Sequence, residues 1–204
     1  RLDALRHIFQ VDVFAKSTFA AGLPTLKNPH PETPITSVSA LDKQIVITWQ
    51  NNAELVEDKT GEALGIDVAH GFSANYIKDD FEGYRIYKSL TGLPGSLTLL
   101  AQYDKVDQFG IVNAASFNEN GSLEIKDYDL GTNTGLQYSF TDINVTNGRQ
   151  YFYAVTAYDA QPYIATANMI LFNGDYIHEP SGLPISLESS QSANLVKVVP
   201  MKKT

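Results

Sequence analysis

Residues 145–159, VTNGRQYFYAVTAYD, restrict what this chain can fold into more than any other stretch. Thr146-Asn147-Gly148 has turn chemistry, and a strictly alternating run follows it. Tyr151, Tyr153, Val155 and Ala157 fall on one face; Phe152, Ala154, Thr156 and Tyr158 fall on the other. Aromatic and β-branched side chains at period two suit a pleated strand packed on another layer. Its expected place is the middle of a β-sandwich.

The sequence around it repeats the pattern. ITSVSAL and KQIVITWQ, separated by Asp42, form a hairpin-like pair in which Ile45, Ile47 and Trp49 share a face, with Trp49 expected in the core. GYRIYKS, residues 83–89, alternates Tyr84, Ile86 and Lys88 against Arg85, Tyr87 and Ser89, and a TGLPG turn leads to LTLLAQY. QYSFTD, the strand already described and ANLVKVVP complete seven short strands. No helix-length periodic segment separates them, which argues against βαβ units and a parallel-sheet nucleotide enzyme.

The first 24 residues differ. Leu2, Leu5, Ile8, Phe9, Val13 and Phe14 recur at three- and four-residue spacing, and Gly22 with Pro24 supplies a stop, which predicts a helix over residues 2–20. HIFQVDVF also alternates, so a strand exchanged with a neighbour is the competing reading. Pro24, Pro29, Pro31 and Pro34 make residues 25–34 an extended, semi-rigid connector to the domain at 35–200.

Composition excludes several function classes. Fifteen Lys and Arg against 23 Asp and Glu leave a net charge of −8, so nucleic acid and anionic membrane surfaces are unsuitable partners. Cysteine is absent, which removes disulfides, thiolate nucleophiles and zinc–cysteine sites. No apolar run approaches the roughly 20 residues that cross a bilayer, and the first residues lack a signal-peptide core. A chain that starts at Arg1 is expected to come from a longer parent. At 204 residues with 43% hydrophobic side chains, it can bury a full core.

PITSVSALDKQIVITWQ, GYRIYKS and YSFTDINVTNGRQYFYAVTAYD, in that order, resemble a fibronectin type III domain. The resemblance covers about residues 34–200 and implies an antiparallel, immunoglobulin-like sandwich. It implies that Trp49 packs beneath Tyr84, and that Tyr151 forms a corner with Val145 or Ile143. More narrowly, WQNNAE, DDFEGYRIYKS, YDKVD, LPISLESS and NLVKVVP resemble modules of large secreted or surface proteins of Bacteroidetes and related bacteria. An extracellular or cell-surface location follows from that resemblance. In that group VVP continues as Pro-Asn-Pro-Tyr; here Met201-Lys202-Lys203-Thr204 follows.

Three insertions, 51–80, 105–136 and 161–180, exceed the roughly 100 residues of such a sandwich. Long loops on a rigid scaffold commonly carry recognition, whereas the bland expectation is extra hairpins covering the sheet edges. DYDLGTN offers Asp127, Asp129 and Asn133 as oxygen ligands for a structural Ca²⁺. Its Gly131 and the Tyr138 at the twelfth position depart from an EF-hand, and turn formation explains the same residues. Glu54, Asp58, Asp79, Asp80 and Glu82 flank the first insertion and would need a cation or basic partner if folding gathered them.

No enzymatic role is expected. His7, His30, His70 and His178 stand in no ligand spacing, and no GxSxG, P-loop or dinucleotide fingerprint occurs. Apart from Ca²⁺, no cofactor is implied. Phe72, Tyr76, Tyr163 and Tyr176 lie in insertions and could stack on a glycan, which makes a carbohydrate-binding module the alternative. The principal expectation is a structural module used for spacing, adhesion or assembly. Leu5, Ile8, Phe9, Val13 and Phe14 would dock on another module or a second copy of the chain.

Overall fold

The computed structural model describes residues 31–56, 77, 79–160, 165–180 and 185–202. The segment expected as helix or exchanged strand, and residues 25–30 of the connector, lie outside them. Among the described residues the chain is all-β with no helix beyond one short 3-10 turn, Asn52–Leu55. Its strands are β1 (Thr36–Leu41), β2 (Gln44–Trp49), β3 (Phe81–Ser89), β4 (Thr98–Asp104), β5 (Ile111–Phe117), β6 (Leu123–Asp129), β7 (Ser139–Asp142), β8 (Tyr151–Asp159), β9 (Ala165–Phe172), β10 (Asp175–Pro180) and β11 (Val196–Val198). All seven expected strands are present, and every ladder is antiparallel.

One sheet runs β1-β2-β7 and the other β11-β8-β3-β4. In β2 the alternation works as its sequence requires: Ile45, Ile47 and Trp49 are buried while Thr48 is exposed. They meet Tyr84 and Ile86 of β3 and Tyr151, Tyr153, Val155 and Ala157 of β8 in a single core. Trp49 stands edge-on to Tyr84 with ring centroids 5.7 Å apart, so this contact joins the two sheets. Each such side chain contributes about 1.5–3 kcal/mol by leaving water.

The other face of β8 is also covered, because β8 is central. Thr156 and Tyr158 are buried, and Glu188 from the returning segment accepts hydrogen bonds from Thr156, from Tyr87 at 2.8 Å and from Arg85 at 2.8 Å. Arg85 lies 4.0 Å above the Tyr158 ring, and the Tyr158 hydroxyl donates to the Leu130 carbonyl. Polar side chains therefore seal the outer face with bonds rather than with bulk alone. At the turn before β8, the Thr146 N–H donates to the Tyr151 hydroxyl at 2.9 Å. Val145 packs on the core there, whereas Ile143 is exposed.

Two of the three insertions form hairpins of their own. β5 pairs with β6 within the second, and β9 with β10 within the third. The second turn is Asn173-Gly174, both at positive φ, the backbone a tight two-residue hairpin needs. The first insertion is described only at its ends.

Candidate functional site

The strand directions bring the three insertions to one end of the sandwich. Thr36 pairs with Trp49 and Thr48 with Ser139, so β1 and β7 begin where β2 ends. Gly83 pairs with Asp104 and Phe81 with Asp159, so β3 begins where β4 and β8 end. The Trp49–Tyr84 contact, and a 2.7 Å hydrogen bond from the Tyr84 hydroxyl to Glu54, place those two ends together. At the opposite end a 2.6 Å ion pair joins Lys88 of β3 to Asp142 of β7. Connections 50–80, 105–138 and 160–195 therefore share one pole. The short turns 42–43, 90–97 and 143–150 share the other.

The chain also reaches the fold at the insertion pole. Pro34 is buried, and the Asn194 amide donates to the Pro34 carbonyl at 3.0 Å and to the Val155 carbonyl at 2.7 Å. Asn52 accepts from the Ile35 N–H at 3.0 Å, tying the incoming strand to the first insertion.

Asp104 anchors the second insertion. Fully buried, it accepts from the Thr134 hydroxyl at 2.6 Å, the Thr134 N–H at 3.0 Å and the Asn133 N–H at 2.5 Å. Burial alone would raise its pKa, but these bonds to the charged form outweigh it and hold the carboxyl below its ordinary range. Gly131, at φ +130°, lies so near that a Cβ would sit 2.2 Å from the Asp104 carboxyl carbon.

Glu82 behaves oppositely. It is 2% exposed, and its Oε1 has no hydrogen-bond partner. Burial pushes its pKa up to about 8; Asp107 and Asp104 add to the rise and Lys105 opposes it. Burial therefore favours the protonated form of this carboxyl well above the usual carboxylate range.

The other expected ligands serve local structure. Asp127 accepts from the Asn113 side chain across the β5–β6 ladder, and Asp129 accepts from the Gly131 N–H in a tight turn. Asn133, at φ +59°, caps the Asp107 N–H through its side-chain oxygen. Glu54 takes hydroxyl bonds from Tyr84 and Tyr138, and burial, reinforced by that carboxylate, raises both phenols. Asp80 is buried, and its carbonyl accepts from the Ala160 N–H; Asp79 is exposed. Among the described residues, no three His, Asp or Glu side chains converge.

Asp58, Phe72, Tyr76, Tyr163, His7, His30, His70 and the apolar residues Leu5, Ile8, Phe9, Val13 and Phe14 lie outside the described residues. Tyr176 lies on β10 and is 73% exposed. Sequence reasoning missed its neighbours: Leu171 pairs with Tyr176, and Met169 pairs with His178, all on one face of the hairpin. Met169 and Leu171 are 50% and 64% exposed. The Asn-Gly turn between ATANMILF and DYIHEP was the signal that could have found this face. No known family model matches the chain, and no curated protein or solved structure is significantly similar to it.

Proposed function

We propose that this chain is a fibronectin type III-like module, without catalytic activity, of a bacterial cell-surface protein or filament. It works in spacing, adhesion or assembly through its insertion pole. The observation that carries the reading is the sorting of loops: every long connection leaves at one pole, beside the incoming chain, while the other pole has short turns. A scaffold that concentrates its variable segments at one end presents them to a single partner. The three-stranded and four-stranded sheets, the Trp49–Tyr84 contact and the Tyr151 corner bond support the fibronectin-like part of the reading.

Sedimentation of the full chain, and of the chain lacking residues 1–24, tests assembly. Self-association that disappears with the segment supports it, and a monomer in both overturns it. The exposed Tyr176 ring favours glycan binding as the second reading. Glycan-array binding lost in Tyr176→Ala would support that, and uniformly negative arrays at high protein concentration would remove it. A structural Ca²⁺ would raise Tm over the value in chelator, because a ligand held by the folded state stabilises it; equal midpoints exclude the ion.

A further inference from the structure

Three Asn-Gly pairs occur in the chain, Asn120-Gly121, Asn147-Gly148 and Asn173-Gly174. An asparagine followed by glycine can close on itself, because the glycine has no side chain to hinder attack by its nitrogen on the asparagine amide carbon. The reaction needs a free nucleophile and a free side chain. The fold treats the three pairs differently in both respects.

Asn147 is held. Its side-chain oxygen accepts from the Lys43 N–H at 2.8 Å, its amide donates to Asp42 at 2.6 Å, and the Gly148 N–H donates to the Pro200 carbonyl at 2.8 Å. Asn120 is partly held, since the Gly121 N–H donates to the Asn118 carbonyl at 2.8 Å. Asn173 and Gly174 are both exposed at the tip of the β9–β10 hairpin. The Phe172–Asp175 pair closes that turn, and no hydrogen bond among the described residues engages the Gly174 N–H or the Asn173 amide. A Cβ on Gly174 would meet nothing within 4 Å, so the turn has room to move.

We propose that Asn173-Gly174 is a site of spontaneous covalent modification, at which asparagine becomes aspartate and isoaspartate ahead of Asn120 and Asn147. The Gly174 nitrogen gives its proton to a solvent base and bonds to Asn173 Cγ. The Cγ–Nδ2 bond breaks, and ammonia leaves with a proton from water. The five-membered imide then takes up water. Opening at Cγ gives aspartate; opening at the main-chain carbonyl gives isoaspartate, with the chain running through Cβ. One water is consumed and one ammonia released, with no oxidation or reduction.

Isoaspartate adds a carbon to the main chain of a two-residue turn whose residues sit at φ +51° and +98°. A hairpin of this kind closes only at its own length and twist. Either product also places a carboxylate beside Asp175. The isoaspartyl form therefore loses the Ile170–Ile177 pairing, and with it the shared face of Met169, Leu171 and Tyr176. The inference stands apart from assembly and glycan binding, since it needs only the hairpin tip.

The full chain, held folded in mildly alkaline buffer, tests it. Ion exchange should resolve a form with one added negative charge, and peptide mapping should place the change at Asn173. Conversion there should be about fivefold faster than at Asn120 and on the order of a hundredfold faster than at Asn147, the factors for breaking one and three net hydrogen bonds before attack. In urea the three rates should converge. Asn173→Gly keeps a residue suited to positive φ but has no amide, and should acidify no faster than Asn120 converts in the wild type. Isoaspartate methyltransferase should label the aged wild type at this peptide, and amide exchange at Ile170 and Ile177 should rise in the labelled form while Val155 is unchanged. Earlier conversion at Asn120 or Asn147 in the folded chain overturns the site. The same ranking in urea would show that local sequence sets it and overturns the structural argument. Unchanged exchange at Ile170 and Ile177 overturns the loss of the hairpin.

Discussion

At the scale of single residues, the fold depends on a few polar side chains that hold backbone groups in place. The Tyr151 hydroxyl is one. Tyr151→Phe keeps the buried ring but leaves the Thr146 N–H without its acceptor, and should cost about 1 kcal/mol. Amide exchange at Thr146 should speed up while exchange at Val155 is unchanged. Gly131 is a sharper case, since a methyl there meets the buried Asp104 carboxyl and the backbone is left-handed. Gly131→Ala should cost more than about 2 kcal/mol, against about 1 kcal/mol for Gly148→Ala, where a Cβ has open space. Comparing their denaturant midpoints checks the ranking. Trp49 as a core residue was legible in the alternation of β2. Asp104 was not: nothing local in YDKVD tells that its carboxylate will hold a loop about 30 residues further on.

At the scale of elements, alternation identified all seven sandwich strands because each has one face that must be dry. β2 is the plain example, with Ile45, Ile47 and Trp49 inward. The hairpins within the insertions were expected only in outline, since β5 and β6 have largely half-exposed side chains and so a weak period. By sequence Asp127, Asp129 and Asn133 read as cation ligands, and turn formation explains the same residues; in the fold Asp127 makes a ladder contact while Asp129 and Asn133 hold turns. The β1–β2 turn offers a test at this scale. Lys43 adopts φ +54°, a conformation costing a side-chain-bearing residue about 1–2 kcal/mol. Lys43→Gly relieves that strain against a larger entropy loss on folding, so a net gain of about 0.5 kcal/mol is expected, read as a slightly higher Tm.

At the scale of the whole molecule, the sandwich places its three insertions and its incoming chain at one pole, and it buries a carboxyl there. Glu82 has a folded-state pKa of about 8 against 4.5 for the free side chain, so between those values the folded protein holds a proton that the unfolded chain has lost. Its contribution to stability is complete below about pH 4.5, falls as pH rises through the window, and is lost above about pH 8. The swing is on the order of 5 kcal/mol. Glu82→Gln should abolish most of it, so wild type and variant should diverge in urea midpoint between about pH 5 and 8, the wild type falling; parallel pH profiles would refute the assignment. The amino-acid sequence by itself determined the all-β class, the order of the strands and the faces they bury, because alternation is a local pattern with a direct energetic meaning. Only the tertiary structure decided that connections far apart in sequence share one pole, that Glu82 is dry while Asp104 is bonded, and that Met169, Leu171 and Tyr176 stand together. Those facts depend on strand direction and register, which arise from pairing across the whole chain and leave no mark on any short stretch of it.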